Sequence, residues 1–414
     1  MTLERAGQGS ARVSMGTIAR EWTRIGCTGF GGPPTHISLL RRSCVTDRQW
    51  LSDAEFEDGI AATNLLPGPA STQLAIFCGW RLRGAAGAVL AGVCFIVPGL
   101  LLIIGLAAVF LGGSPPRWVL GAADGAGAAV PAVAVAASVG LMGPGRRRSV
   151  HRGRWYAYTL IGVVAVVVTG GYLVVVLLGC GVLEVAIGAF AHRRGTRPGG
   201  PGRAGPRPRP VLAWPAAPAV GLKTGVLTGL TGLAGLTGLA AVGWVGFKVG
   251  ALSYGGGFVI IPLMQHDAVA AHGWMTDAQF LNAVALGQVT PGPVVLTVAA
   301  VGYAAAGPAG ALLAAVAAFA PSFGFVIAGA PHFDRLRGSA VARQFLAGAG
   351  PTVVGAIAGS AIPLTIALQL RWQYGVLAAA AGWLLGLRRG VVPALLACAA
   401  VGVLAALAAL PVVG

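Results

Sequence analysis

The chain alternates long apolar stretches with short polar ones, and the apolar stretches set its class. A helix needs about 20 apolar residues to cross a bilayer, and nine runs approach or exceed that length. They cover residues 85–111, 119–141, 156–169, 172–190, 225–245, 309–330, 345–368, 374–387 and 391–410. This pattern predicts an all-α integral membrane protein, folded as a polytopic helical bundle.

Composition supports this class and argues against several others. Of the 414 residues, 56% are apolar and 10% are charged, whereas soluble domains carry roughly 25% charged residues. Six cysteines without a CxxC pair favour neither a disulfide framework nor a zinc site. P-loop, HExxH and GxSxG patterns are also missing. The sequence therefore predicts neither an enzyme nor a cofactor, and an intramembrane enzyme is kept as the alternative of another class.

The net charge of +17 does not indicate nucleic-acid binding. Eleven of the 29 basic residues lie between Arg146 and Arg209, in short stretches between apolar runs. Clusters of this kind are typical of cytoplasmic loops beside anionic lipid. Residues 191–218 are rich in Arg, Pro and Gly, which predicts a disordered cytoplasmic linker between an N-terminal half, 1–190, and a C-terminal half, 219–414.

An internal repeat relates the two halves. With a shift of 224, residues 30–69 align with residues 254–293 without a gap, and 13 of the 40 pairs are identical. The identical pairs include Trp50 with Trp274 and a whole Pro-Gly-Pro triplet. From residue 84 onwards the alignment continues with a shift of 223. Repeats of this kind in an apolar chain are typical of secondary transporters.

The distribution of basic residues predicts that the two halves are inverted in the membrane. Five arginines flank the first Pro-Gly-Pro triplet, namely Arg41, Arg42, Arg48, Arg81 and Arg83. The matching loops of the second half, 265–277 and 303–307, contain neither Lys nor Arg. By the positive-inside rule, the first pair of loops is cytoplasmic and the second pair is external.

This topology predicts a broken helix around each triplet. Both flanks of the apolar segment 58–80 are expected on one side, so the segment must enter the membrane and return. Residues 67–69 form the predicted tip, because proline disrupts a helix and glycine permits a bend. Residues 291–293 form the corresponding tip from the other face. An ordinary membrane helix kinked by proline is the alternative.

Residues around these two tips are the candidate substrate-binding residues. Half-helices that start inside the membrane expose backbone N–H groups, which attract anions, and paired glycines let a ligand or another helix approach closely. The candidates are Gly31, Gly32, Pro33, Asn64, Pro67, Gly68, Pro69, Ser71, Thr72, Gly255, Gly256, Gln288, Thr290, Pro291, Gly292 and Pro293. For any single hydroxyl, a hydrogen bond back to its own helix is the alternative.

Ionisable residues within the predicted spans are few. Asp124 and Glu184 are hypothesised to carry protons or to balance an arginine, because a charge inside the membrane is costly. His36 lies near the end of a predicted span, where contact with solvent or lipid headgroups is the expectation. No metal site is predicted.

These motifs resemble those of the chromate ion transporter family. The first half carries GFGGP at 29–33, NLLPGPAS at 64–71 and a GxxG…P pattern at 84–98. The second half carries SYGGG at 253–257, VTPGP at 289–293 and GPAG at 307–310. The resemblance covers nearly the whole chain from about residue 16 and fits the long, two-domain form of the family. Tyr254 and Gly257 replace the Phe and Pro of the first motif, so equal substrate contact by both halves is not implied.

The resemblance implies a multi-pass protein of the cell inner membrane that expels chromate from the cytoplasm and thereby gives chromate resistance. The implied partners are an inorganic oxyanion and the lipid bilayer. Sulfate or another inorganic oxyanion is the alternative substrate, because sulfate shares the shape and charge of chromate. A homo-oligomer is also left open.

Overall fold

The computed structural model describes residues 13–111, 113, 115–148, 151–169, 173–195, 231–253, 260–333 and 339–413. Over these residues the chain is mainly helical and contains no β-strand. The helices are α1 Met15–Thr28, α2 Pro33–Arg41, α3 Asp53–Thr63, α4 Ala70–Leu111, α5 Arg117–Arg148, α6 Arg152–Thr169, α7 Leu173–Gly195, α8 Thr231–Leu252, α9 Ile260–Gln265, α10 Asp277–Val289, α11 Thr297–Gly329, α12 Ala340–Ile366, α13 Arg371–Ala381 and α14 Val391–Leu407.

Five helical segments are long and apolar enough to cross a membrane. They are Ala70–Leu111, Arg117–Gly143, Leu173–Phe190, Val294–His332 and Ala340–Ile366, and shorter apolar helices cover Gly238–Leu252 and Val391–Leu407. Large apolar side chains such as Leu101, Val316 and Ile366 point outward from these segments. Such an apolar exterior is stable in lipid and not in water. The protein is an all-α polytopic membrane protein, as the sequence predicts.

Some predicted boundaries differ from the observed ones. α4 begins at Ala70 instead of residue 85, because the polar residues after the first tip already form a helix. The predicted span 374–387 is made of α13 and a π-helical segment, Gly382–Gly386. Most of the predicted linker, 196–218, lies outside the described residues, so its boundaries stay a prediction.

The aligned parts of the two halves adopt the same local structure. π-Helical segments occupy Arg42–Asp47 and His266–Ala271, which are equivalent at the shift of 224. The next helix in each half begins with a capping box, 52–55 before α3 and 276–279 before α10. In such a box two side chains satisfy backbone N–H groups that the first helical turn leaves free.

α4 and α11 each contain a sharp change of direction at equivalent positions. In α4 it lies at Arg83 (φ −145°, ψ 24°) and Gly84 (φ 61°, ψ −151°). In α11 it lies at Ala306 (φ −153°, ψ 32°) and Gly307 (φ 62°, ψ −153°). A positive φ favours glycine, so the two glycines that match at the shift of 223 place the same bend in both halves. Each helix therefore has a short first segment and a long second one.

α3 and the first segment of α4 form a helical hairpin. A Cβ placed on Gly59 would lie 3.3 Å from Leu74 Cδ1 and would meet the ring of Phe77. In one continuous helix Gly59 and Phe77 would be about 27 Å apart, at 1.5 Å per residue. The chain therefore doubles back at residues 67–69, and the alternative of a single kinked helix is wrong. The entry of the two hairpins from opposite membrane faces stays a prediction.

Candidate functional site at the junction of the two hairpins

Each hairpin tip depends on a glycine in a conformation that other residues rarely adopt. φ is +125° at Gly68 and +104° at Gly292. The flanking prolines lack the N–H that a continuing helix requires, so α3 ends before the first triplet and α4 begins directly after it. Sequence alone therefore dictates a tight, non-helical turn at both tips.

Each tip packs against the long helix of the opposite half. A Cβ placed on Gly68 would lie 3.0 Å from Ser322 Oγ in α11. A Cβ placed on Gly292 would lie 4.0 Å from Gly99 Cα in α4. Gly99 and Ser322 are equivalent at the shift of 223, and each follows a proline inside its helix. The two halves therefore interlock at their tips.

A backbone hydrogen bond joins the second tip to the first glycine motif. Gly292 N donates to Gly29 O at 3.0 Å. The residues that follow, Gly31 (φ +99°) and Gly32 (φ +77°), both occupy the left-handed region that favours glycine. Pro33 is then the first residue of α2, a position where proline is tolerated. The predicted FGGP motif and the predicted second tip are thus brought together.

His36 occupies the centre of this junction. Its Nε2 lies 2.8 Å from Gly29 O and its Nδ1 lies 3.2 Å from Ser71 Oγ, while the ring edge packs on Phe95. The Gly29 carbonyl can only accept, so Nε2 carries the proton and the Ser71 hydroxyl donates to Nδ1. His36 is completely buried, so the expectation of solvent contact is wrong. One feature of the sequence indicates where this side chain points. His36 lies four residues after Gly32, and residues four apart lie on the same helix face, so its side chain turns back towards the glycine motif.

Four buried polar side chains around the tips have an atom without a hydrogen-bond partner among the described residues. The atoms are Thr72 Oγ1, Gln73 Oε1, Gln288 Nε2 and Ser322 Oγ. A buried polar atom left unpaired costs about 1–3 kcal/mol. Their grouping at both tips therefore indicates a place for a polar ligand. Ser322 is not among the residues that the sequence predicts. Gln73, which lies beside the first tip in the sequence, is fixed because its Nε2 donates to Pro67 O at 2.6 Å.

The other predicted residues play different parts. Thr290 Oγ1 donates to Leu286 O at 2.7 Å, so the alternative of a bond to its own helix applies. Asn64 is exposed at the end of α3. The tip prolines shape the turns and have no N–H to offer an anion. Gly255 and Gly256 lie outside the described residues.

A cavity of about 370 Å³ opens at the base of the first hairpin. Glu55 of α3 and Arg81 of α4 line it and form an ion pair, and Pro331 of the second half faces them. Hydrogen bonds from the Ser52 backbone N–H and hydroxyl, together with Arg81, hold the pKa of Glu55 below its usual range, although burial opposes this shift. The base of the first hairpin is thus charged but compensated.

The two acids inside the predicted spans differ in their partners. Glu184 pairs with Arg154 at 3.1 Å and so balances an arginine. Asp124 is buried in α5 and accepts hydrogen bonds from Asn282 Nδ2 of α10 at 3.3 Å and from Val413 N at 2.7 Å. No basic side chain in the described part of the chain pairs with Asp124. Asp124 therefore ties the second hairpin to the surrounding bundle.

The chemistry of the junction suits a polyatomic anion. Hydroxyls, amides and backbone N–H groups supply hydrogen-bond donors, and helix N-termini add partial positive charge. Within the described ranges no group of three His, Cys, Asp or Glu side chains could hold a metal ion. The junction therefore offers neutral, directional donors without a fixed full charge.

Comparison with known proteins places the chain in a family. The family described as chromate transporter matches residues 16–185 and 240–406. The chromate transport protein of Pseudomonas aeruginosa is 33% identical over 85% of this chain and 81% of its own length. The chromate transport protein of Cupriavidus metallidurans is 30% identical over 82% of this chain and 80% of its own length. No solved structure matches the chain. The chain belongs to the chromate transporter family.

Proposed function

We propose that this protein exports chromate from the cytoplasm across the inner membrane, and that the junction of the two hairpin tips forms the substrate path. The names of the two relatives given above support the choice of chromate. The observation that carries the path is the contact of each tip with the opposite half, at Ser322 and at Gly99. A path between two halves that move against each other is the arrangement that alternating access requires.

Neutral donors fit a site that must release its substrate. A fixed arginine would bind a dianion strongly and slow its exit, whereas hydroxyl, amide and backbone N–H donors stabilise it moderately. Among the described residues, Thr72 and Ser322 each have a hydroxyl without a hydrogen-bond partner near the first tip, and Gln288 has such an amide nitrogen near the second. A tetrahedral oxyanion between the tips would accept hydrogen bonds from both halves at once.

The membrane potential is sufficient to drive export. An inside-negative potential of 100 mV is worth about 2.3 kcal/mol per elementary charge. A dianion therefore gains about 4.6 kcal/mol on leaving the cell, which corresponds to roughly three decades of concentration. Export needs no ATP under these conditions, and it would make the host cell resistant to chromate.

Flux into inside-out membrane vesicles tests the proposal directly. An interior-positive potential, set by a potassium gradient and valinomycin, is expected to drive chromate uptake that collapses when the potential is removed. Unlabelled sulfate in tenfold excess is the competitor that measures selectivity. Wild-type vesicles that accumulate sulfate but no chromate would overturn the choice of substrate, and uptake only into right-side-out vesicles would overturn the direction.

A further inference from the structure

A further cavity lies away from the hairpin junction. An apolar groove of about 540 Å³ runs between α13 and α14. Its walls come from small and apolar residues of both helices and from two tryptophans, Trp372 at one end and Trp383 at the other. The polar lining of this groove is slight, so its occupant must be apolar along most of its length.

The length of the groove matches one leaflet of a bilayer. Trp372 and Trp383 are eleven residues apart on a helical stretch, which rises about 16 Å at 1.5 Å per residue. One leaflet of a typical hydrocarbon core is about 15 Å thick. An extended acyl chain therefore fits along the groove.

Two arginines lie near the Trp383 end of the groove, and neither has an acidic partner among the described residues. Arg389 places its guanidinium 5.8 Å from the centroid of the Trp383 ring, and Arg388 precedes it in the chain. Among the residues that the structure describes, neither arginine forms an ion pair. Sequence adds that residues 371–414 contain no Asp or Glu. Within the described part of the chain, no carboxylate therefore balances the positive charge at this end.

Two further observations at the same end point to a ligand. Trp383 Nε1 is buried and has no hydrogen-bond partner in the described ranges. Arg388, two residues after the π-helical segment 382–386, has a left-handed φ of +52°. Such irregular backbone costs free energy and is frequent at functional sites. A phosphate or ester oxygen at this end would accept from the indole N–H and would balance the arginines.

We infer that the α13–α14 groove binds one anionic phospholipid, with an acyl chain between the two helices and the phosphate at Arg388 and Arg389. The apolar channel, the unpaired cations and the unpartnered indole N–H correspond to the three parts of such a lipid. Basic pockets between membrane helices bind anionic headgroups in the same way. This inference does not rest on the proposed transport function.

Native mass spectrometry of the purified full chain, titrated with phosphatidylglycerol or phosphatidylcholine, tests the site. We expect the wild type to retain one phosphatidylglycerol, bound at least tenfold more tightly than phosphatidylcholine. The double variant Arg388→Gln, Arg389→Gln is expected to lose this preference. The matched control Arg146→Gln, Arg152→Gln removes the same charge from exposed positions and should leave the preference unchanged.

A second pair of variants tests the apolar part of the site. A Cβ on Gly375 would meet no atom within 4 Å, so Gly375→Leu fills the groove without a clash and should abolish retention of either lipid. Gly105→Leu is the control, because Gly105 is equally open and lies in α4. Unchanged phosphatidylglycerol retention in both the double-arginine and the Gly375→Leu proteins would overturn the inference. A wild-type dimer that Gly375→Leu dissociates would also overturn it, because a second copy would then occupy the groove.

Discussion

The two hairpins share a backbone but differ in their chemistry. Both have a π-helical segment, a capping box, a glycine tip and a bend at equivalent positions. His36 of the first half is Ile260 in the second, and Arg81 is Ala304. At these two positions the first half therefore has a polar and a charged side chain, and the second half has apolar ones. The two halves thus differ in the side chains that the shared backbone carries.

One ion pair occurs in both halves, but its acidic residue comes from a different element in each. On α1, Arg24 pairs with Glu21 of the same helix at 2.8 Å. At the position equivalent to Arg24, Lys248 of α8 pairs with Asp267 of the π-helical segment at 2.6 Å. Both halves therefore pair the basic residue at this position with an acid, and the acid comes from different elements. The buried partner is the acid in both pairs, because the side chains of Glu21 and Asp267 are 7% and 8% exposed, and a buried charge left unpaired is costly.

The largest test asks whether the halves face opposite sides of the membrane. Thr46 and Ala270 are equivalent at the shift of 224, and both are exposed. In a background that carries Cys27→Ser, which removes the exposed native cysteine, we expect an impermeant maleimide to label Thr46→Cys only from the cytoplasmic side and Ala270→Cys only from outside. Labelling of both cysteines from the same side would contradict the predicted inversion, since the two halves would then be parallel.

One contact supports the expected outcome of this labelling experiment. Gly92 of α4 packs against the ring of Phe323 in α11. The residue equivalent to Gly92 is Ala315, so the contact is displaced by eight residues along α11. If α4 and α11 ran parallel, each residue of α4 would contact its own equivalent in α11. If they run antiparallel, a residue before the crossing point of one helix contacts a residue beyond the equivalent point of the other. The contact is the one that antiparallel long helices would make.

The next test removes the glycine at each tip. Gly68→Leu and Gly292→Leu are expected to reduce chromate flux at least a hundredfold, because both side chains would occupy the junction and both positions have a positive φ. Gly307→Ala is the matched control: it also sits at positive φ with no atom within 4 Å of its Cβ, but it lies at the bend of α11. Wild-type flux in either tip variant, at equal amounts of inserted protein, would contradict the proposed path.

A third test makes the first half resemble the second at position 36, where the second half has the apolar residue Ile260. His36→Leu removes the hydrogen bonds to Gly29 O and Ser71 Oγ and should lower flux about tenfold, since a lost buried hydrogen bond costs about 1–2 kcal/mol. His36→Gln keeps a donor and an acceptor and should recover part of the flux. The KM for chromate distinguishes the possible roles, because a residue that merely stabilises the fold would leave KM unchanged in the inserted protein.

Sequence could predict the duplicated scaffold because its signals are local. Proline, glycine and capping residues act within a few positions of themselves, so the tip at 67–69 and the boxes at 52–55 and 276–279 follow from short stretches. The contact of Gly68 with Ser322 could not be predicted in this way, because residues 254 positions apart meet only through packing. The burial of His36 could not be predicted for the same reason, because it depends on Phe95 of another helix.

Hydroxyl groups show the limit of sequence most clearly. Thr72 and Thr290 both lie beside a tip, yet Thr290 bonds to the carbonyl of Leu286 while Thr72 Oγ1 has no partner among the described residues. Helical position decides between these outcomes, since a threonine near the end of a helix reaches the carbonyl four residues before it. The sequence contains the spacing but not the exact end of the helix.

The smallest test concerns the two capping boxes. The first uses a carboxylate, Glu55, and the second uses an amide, Gln279. Because the pKa of Glu55 is lowered in the folded protein, its contribution to stability is present above the ordinary glutamate pKa of about 4.3 and is lost as pH falls through the folded value. We expect Glu55→Gln to remove this acid-side loss, which amounts to about 0.5 kcal/mol for a partly exposed pair.

The reciprocal variant completes the comparison. Gln279→Glu should introduce an acid-side loss of stability into the second hairpin, and smaller than in the first, because Ala304 replaces Arg81 and supplies no cation. Thermal unfolding of both variants and the wild type, from pH 7 down to about pH 2, measures the effect, because the loss occurs below the ordinary glutamate pKa. Equal pH dependence in all three proteins would mean that the box at 52–55 stabilises α3 through its geometry alone, and that the charge difference between the hairpins has no part in holding them.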